Sequence, residues 1–351
     1  MANIKLPYYK GHIDCNLPDE LIAGILTSKT ESYVPEKSES DLVRDALNNP
    51  ISSLPLSELA KDKKHVVIIS SDHTRPVPSH ITMPILLEEI RKYNKDVKIS
   101  ILIATGMHRA STHEELVNKY GEKIVQEETI VMHDAYVDED MTFKGILPSG
   151  GELWVNKLVD EADLLISEGF IEPHFFAGFS GGRKSVLPGI ASKKTVLWNH
   201  NAKFIASKNA RAGNLQDNPI HKDMLFAAKT AKLAFILNVV INGEKKVIKA
   251  FAGDLEDAHA HGCELVKEIA KVDPIYSDIV ITTNGGYPLD QNIYQTVKGM
   301  TAGEATVNEN GVVRVVSSGT VTITAKCSSA ENIMKDITSC LEQTMNQNVL
   351  I

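Results

Sequence analysis

No stretch of this chain approaches the roughly 20 consecutive apolar residues that a membrane-spanning helix needs. Its opening segment, MANIKLPYYKGHIDCN, lacks the apolar core of a secretory signal. The sequence therefore predicts a soluble cytoplasmic protein with no membrane partner. Cysteine is scarce: Cys15, Cys263, Cys327 and Cys340 stand far apart, without a CxxC pair. That spacing gives neither a zinc knuckle nor a disulfide framework, and free thiols are expected. Excess positive charge is missing too. A net charge of −8 argues against a nucleic-acid-binding surface and leaves room only for a local basic pocket for a small anion. Low-complexity tracts and short-period repeats are absent. What remains is 351 residues, 43 % hydrophobic and 23 % charged, enough for about two globular domains with buried cores.

Short β-branched runs alternate with helical patterns. His65–Ser71, Val97–Ala104, Asp163–Ser167, Leu233–Ile241 and Asp278–Thr283 read as strands. Ser79 is placed to cap a helix whose apolar face includes Ile81, Ile85, Leu86 and Ile90. A second helix should begin near Ser111 or Thr112, with Glu114 and Glu115 in its first turn. This βαβ rhythm predicts an α/β protein of two domains, with parallel-rich sheets flanked by helices. A composition change at Lys271-Val272-Asp273-Pro274 divides the chain into domains 1–271 and 272–351. Polar loops follow the strands directly: DHTRP, TGMHR, EGFIEPH and NGGYPLDQ. Ligands of open α/β sheets bind beyond the carboxyl ends of strands, so these loops are candidates to build one site.

The segment from His174 to His200 carries the densest chemistry. Within it, Gly178, Gly181 and Gly182 permit close backbone approach, and Arg183 and Lys184 add positive charge. Arg183 separates Gly182 from Lys184, so the phosphate-loop pattern fails. A flexible surface loop is the plain alternative, opposed by the flanking Phe175, Phe176, Phe179, Val186 and Leu187. His108, His174 and His200 follow strand ends or the glycine-rich loop. Any one of them could be structural. Together they suggest acid–base or metal chemistry, and their spacing is not HExxH. Arg75 could hold a carboxylate through two parallel hydrogen bonds, or simply pair with Asp72. Tyr287, Asp290, Gln291, Tyr294, Gln295 and Lys298 are further candidates. Tyr294 and Lys298 share a helical face with Gln295 beside them, although a solvated amphipathic helix would show the same pattern.

Six segments in this order resemble the nickel-dependent lactate racemase family, whose members racemise or epimerise 2-hydroxy acids. They are DHTRPVP (72–78), TGMHRAST (105–112), EGFIEPHFFAGFSGGRKSVLPGIA (168–191), the LWNH ending at His200, GNLQDNP (213–219) and NGGYPLDQNIYQTVKGMTAGEA (284–305). The resemblance runs from about Ile4 to Thr306 and fades beyond it, implying a shortened second domain. It implies an active site in the interdomain cleft and a nicotinic-acid-derived nickel pincer nucleotide, covalently attached to Lys184. His200 is then the Ni(II) ligand. His108 and His174 are the catalytic acid–base pair on either side of C2. Asp72 contacts the cofactor or orients Arg75, and Gly181 and Gly182 let the cofactor lie against the backbone. Arg75, Tyr294, Gln295 and Lys298 bind substrate. The implied reaction interconverts D- and L-lactate by hydride transfer through a pyruvate-like intermediate, and depends on accessory cofactor-synthesis enzymes. Other expectations are an epimerase of another 2-hydroxy acid, a non-catalytic binder of the cofactor or a small carboxylate, and a zinc hydrolase using the three histidines.

Overall fold

The structure is a computed structural model that describes residues 1–287, 289–290 and 293–316. Thr320–Ala325 and Ala330–Met345, which the sequence reads as a β-rich run and a helix, lie outside the described residues, as do Gln291 and the side chains of Tyr294 and Gln295. By contact the chain divides into Lys29–Lys271 and a second unit made of Met1–Ser28 with the residues from Val272 onward.

The larger unit is built on a six-stranded sheet. Its spatial order is Val247–Gly253, Leu233–Ile241, Leu164–Phe170, His65–Ser71, Lys98–Ala104, Thr129–Met132. Every neighbouring pair is parallel except the first, which is antiparallel. Side chains alternate across each strand, so Val66 and Ile68 enter one core layer while Val67 and Ile69 enter the other. The first layer receives Met83, Leu86 and Ile90 from helix Ser79–Arg91. The second receives Ile220, Met224, Ala227 and Ala228 from helix Pro219–Thr230. Helices thus cover both faces, as strands apolar on both sides require. Burying each of these larger aliphatic side chains stabilises the fold by about 1.5–3 kcal/mol.

The helix starts divide the sequence expectations. Thr112 caps helix His113–Tyr120 through a complete capping box with Glu115. Ser79 does not cap its helix. The first turn closes on the Pro78 carbonyl, Ser79 is already helical, and its hydroxyl has no hydrogen-bond partner among the described residues.

In the smaller unit, strands Ala2–Tyr8 and Gly11–Leu17 form an antiparallel hairpin. Strand Ser277–Thr283, helix Ile293–Glu304 and strand Val307–Val316 make a parallel βαβ crossover. The sequence assigned residues 1–28 to the first domain. The structure places them here, because Ile13 and Cys15 bury against Ile279 and Ile281. Asp290 is fully buried, and its Oδ2 accepts the Tyr9 N–H at 2.7 Å, which gives it a structural task in this unit. Lys298 is half-buried on the crossover helix. Among the described residues, no helix is long and apolar enough to cross a membrane.

Candidate active site

Strands His65–Ser71, Lys98–Ala104 and Leu164–Phe170 are adjacent and parallel, so the segments that leave their carboxyl ends start from one edge of the sheet. The first carries Asp72. Its carboxylate is buried and bonded on both oxygens: Oδ2 to His108 Nδ1 at 2.7 Å, Oδ1 to Thr74 Oγ1 at 2.6 Å and to Thr74 N at 3.1 Å. Arg75 Nη1 donates to Thr74 Oγ1 at 2.9 Å, so the arginine and the carboxylate grip the same hydroxyl. Burial alone would raise the carboxyl pKa. The hydrogen bond and charge of His108, with the charge of Arg75, outweigh it and hold Asp72 below its ordinary value. A carboxylate can only accept, so it keeps the His108 proton on Nδ1 and leaves the Nε2 lone pair for an incoming proton.

The second part is built around the Phe176 ring. His174 meets it edge-on at 4.6 Å, His200 edge-on at 5.0 Å, and Lys184 Nζ lies 5.6 Å from its centre. Lys184 Nζ is 3.5 Å from His174 Nε2. His174 occupies a two-residue strand paired with Gly178–Phe179, and its Nδ1 accepts the Ala177 N–H at 3.3 Å. His200 ends helix Lys193–Asn199 and donates Nδ1–H to the Val196 carbonyl at 3.1 Å. Its pKa is pushed down to about 4 by burial and then by the Lys184 charge, so the ring is neutral at pH 7 with Nε2 unprotonated. That is the form in which imidazole ligates a metal. Among the described residues, no group of three or more His, Cys, Asp or Glu is arranged to hold a metal ion.

The two parts are stitched together by the backbone. Gly106 N donates to the Gly189 carbonyl at 2.9 Å, and Gly189 N to the Lys184 carbonyl at 3.1 Å. The glycines prove to be required by packing within the protein. A Cβ on Gly181, whose φ is +78°, would stand 2.6 Å from Asn238 Oδ1 and 2.8 Å from the Phe170 carbonyl. One on Gly182 would meet the His259 ring at 2.9 Å, and its N–H is already given to Asn238 Oδ1. The GNLQDNP segment also gains a reason: Asn218 Nδ2 donates to the Phe176 carbonyl at 2.8 Å while its Oδ1 caps helix Pro219–Thr230.

Sequence reasoning brought His108 and Asp72 to the same strand ends, but it passed over Thr74 and Glu168 and read Phe176 only as a flanking hydrophobic residue. Glu168 is buried, accepts from Ser70 Oγ at 2.6 Å and from the Thr82 hydroxyl, and so joins two strands to a helix beneath the site. Its place at a strand end inside EGFIEPH was the available signal.

Two other histidines make the larger unit acid-sensitive. His133 and His259 are buried, with pKa values pushed down to about 4 and about 3; burial is the main cause, joined for His259 by Arg183. The unfolded chain protonates these rings below about pH 6.5, and the folded chain does not until near pH 4 or below. The stability they contribute is complete above that upper value and is lost as pH falls. At pH 5 the loss is about 2 kcal/mol for each ring. The melting temperature should drop between pH 7 and pH 5. A flat thermal-unfolding profile over that interval would contradict the assignment of both rings as neutral and buried.

Comparison with known proteins agrees with this architecture. Residues 8–213 match the family model of the lactate racemase N-terminal domain. Residues 272–347 match that of the lactate racemase C-terminal domain, so the likeness extends well past Thr306, where the motifs fade. The lactate racemase of Thermoanaerobacterium thermosaccharolyticum is 59 % identical over 317 residues, covering 90 % of this chain and 74 % of that protein. The lactate racemase of Lactiplantibacillus plantarum is 60 % identical, with 90 % and 75 % covered. The solved structure of the T. thermosaccharolyticum lactate racemase apoprotein superposes with a TM-score of 0.84 at 58 % identity, over 90 % of this chain and 74 % of that one. A Thermotoga maritima protein shares the fold alone, at a TM-score of 0.56 and 24 % identity, over 72 % and 64 % of the two chains. Matched by both domain models and by relatives near 60 % identity, the chain belongs to the lactate racemase family and is an isomerase.

Proposed function

We propose that the chain interconverts the enantiomers of lactate, using a nickel pincer nucleotide tethered to Lys184 and ligated by His200. One observation carries this reading: the Asp72–His108 pair and the Lys184–His174–His200 cluster are joined at one sheet edge through Gly106 and Gly189. The relatives named lactate racemase supply the reaction and substrate.

The residues fit such a group. His200 offers one neutral imidazole, and the remaining donors would come from the cofactor; soft sulfur and carbon donors with one imidazole suit square-planar Ni(II). Lys184 brings a primary amine, the group needed for a covalent tether, to the same aromatic ring. When bound, the cofactor would supply the hydride acceptor, which no protein side chain can be.

The chain's own residues handle protons and position. His108 takes the C2 hydroxyl proton at Nε2, with Asp72 stabilising the imidazolium that forms. His174 serves the other enantiomer: with Nδ1 accepting from Ala177, its Nε2 carries the proton that is returned to the C2 oxygen. Arg75, oriented through Thr74, anchors the carboxylate. Cofactor-synthesis enzymes are the required partners.

The test is to produce the protein with those enzymes, confirm nickel content, and incubate it with pure L-lactate. D-lactate should accumulate until the two forms are equal. Loss of optical purity in a larger 2-hydroxy acid alone would reassign the substrate. Nickel-loaded protein without turnover on any of them would make the chain a binder and overturn the reading.

A further inference from the structure

Glu115 caps a helix, yet it also meets the loops of both members of the Asp72–His108 pair. His108 is separated from helix His113–Tyr120 by four irregular residues, Arg109 to Thr112. Glu115, in the first turn of that helix, reaches back over them. Its Oε1 accepts from Arg109 Nη2 at 2.6 Å, and its Oε2 accepts from Arg109 Nη1 and from the Thr112 N–H, both at 2.8 Å. His73 comes to the same place from the other loop. Its ring is buried, with Nδ1 3.0 Å from Ser111 Oγ and 3.7 Å from Glu115 Oε2.

The cap accounts for only part of this. A glutamine would bond the Thr112 N–H as well as a glutamate does. The charge serves the two arms. The hydrogen bond from Arg109, joined by that from Thr112 and by His73, holds the Glu115 carboxyl down to about 2, so it is ionised at pH 7. Arg109 is mostly exposed, so the ion pair adds little to stability. Its geometric effect is larger. His73 follows Asp72 and Arg109 follows His108, and both side chains end beside one carboxylate. The two loops are thus joined twice, once by the 2.7 Å Asp72–His108 bond and once through Glu115 and Ser111. A single contact lets two loops pivot about it, whereas two contacts set their relative orientation.

We propose that Glu115 is a positioning residue of the acid–base pair: by holding Arg109 and His73 at one carboxylate, it keeps the loops of His108 and Asp72 in the register in which their hydrogen bond forms. The catalytic meaning of that register rests on the racemase reading; the holding itself does not.

The experiment is 1H–15N NMR of the full chain without nickel, with histidine 15N-labelled and the His108 Nδ1–H signal assigned by its loss in His108→Gln. Glu115→Gln keeps the cap and the size of the side chain and removes the charge. In it the His108 signal should move upfield and exchange with water about tenfold faster than in wild type, as a pair that opens more often would. Arg109→Gln should move the signal the same way by a smaller amount, because His73 still faces the carboxylate. It changes an exposed side chain, and it decides the matter if Glu115→Gln does not fold. Thr112→Ala is the control. It removes the hydroxyl that accepts the Glu115 N–H and lowers the melting temperature, but leaves the carboxylate on Arg109, so the His108 signal should stay in place. In nickel-loaded Glu115→Gln, kcat for lactate should fall about tenfold with a smaller change in KM, short of the roughly 10²-fold that a displacement of about 1 Å can cost. A His108 signal unmoved in folded Glu115→Gln, a signal moved as far in Thr112→Ala, or an unchanged kcat in an active enzyme overturns the inference. A displaced His108 signal in a chain whose wild type racemises nothing would refute the racemase reading and leave this one standing.

Discussion

Lys184→Ala protein, co-produced with the cofactor-synthesis enzymes, is expected to show the mass of the bare polypeptide, where wild type carries a covalent adduct. The structure gives the reason. Lys184 sits in the short turn Gly182–Ser185, with its amine over Phe176 and beside His174. A tether needs an amine at that place, and alanine has none. The main chain of the turn is held by Gly182, Arg183 and Ser185. The variant should therefore fold with wild-type stability and differ in adduct and racemase activity, both reduced to background. An adduct of unchanged mass would remove Lys184 from the scheme. His200→Ala makes a useful companion, since adduct retained with nickel lost would separate tethering from ligation.

Asp72→Asn should lower kcat by about 10²- to 10⁴-fold, the range that positioned acid–base catalysis contributes. The change is nearly isosteric, so the effect is electronic. An amide in place of the carboxylate can turn its NH2 toward His108 Nδ1, which then accepts and moves the ring proton to Nε2. The nitrogen that must receive the C2 hydroxyl proton is then blocked. The positive charge that forms on His108 also loses its counter-charge. Lactate KM should change less than kcat, because Arg75 still reaches Thr74. Rates for both enantiomers, measured on variant and wild type at equal nickel content, would decide. A loss of less than tenfold would mean that Asp72 does not set the His108 tautomer.

Much of the larger unit was legible because its signals are local. His65–Ser71 is a β-branched run that could be little else than a buried strand, and it is one. Thr112 with Glu115 three residues on is a reciprocal cap written in the sequence. Ser79 misled because a proline precedes it, and the turn begins from the proline carbonyl. The home of residues 1–28 was not legible. Their apolar partners, Ile279 and Ile281, lie some 260 residues away, and nothing in a hairpin names its distant neighbour. The site shows the same division. His108 and Asp72 could be brought together by strand order alone. The gathering of His174, Lys184 and His200 around Phe176 depends on how a loop folds back on itself, and the motif resemblance suggested it before geometry did. The glycines were expected to make room for a ligand; what is visible is that Gly181 and Gly182 make room for Asn238, Phe170 and His259.

The bond from Gly106 to Gly189 has a different kind of consequence. It joins the loop of His108, the proposed acid–base residue, to the segment of Lys184, the proposed tether, and both of its atoms are main-chain atoms. Replacing side chains along either segment cannot delete it. The spacing between the two halves of the site is therefore inherited from the route of the chain, and selection can alter the residues that face a substrate without disturbing the distance across which they work.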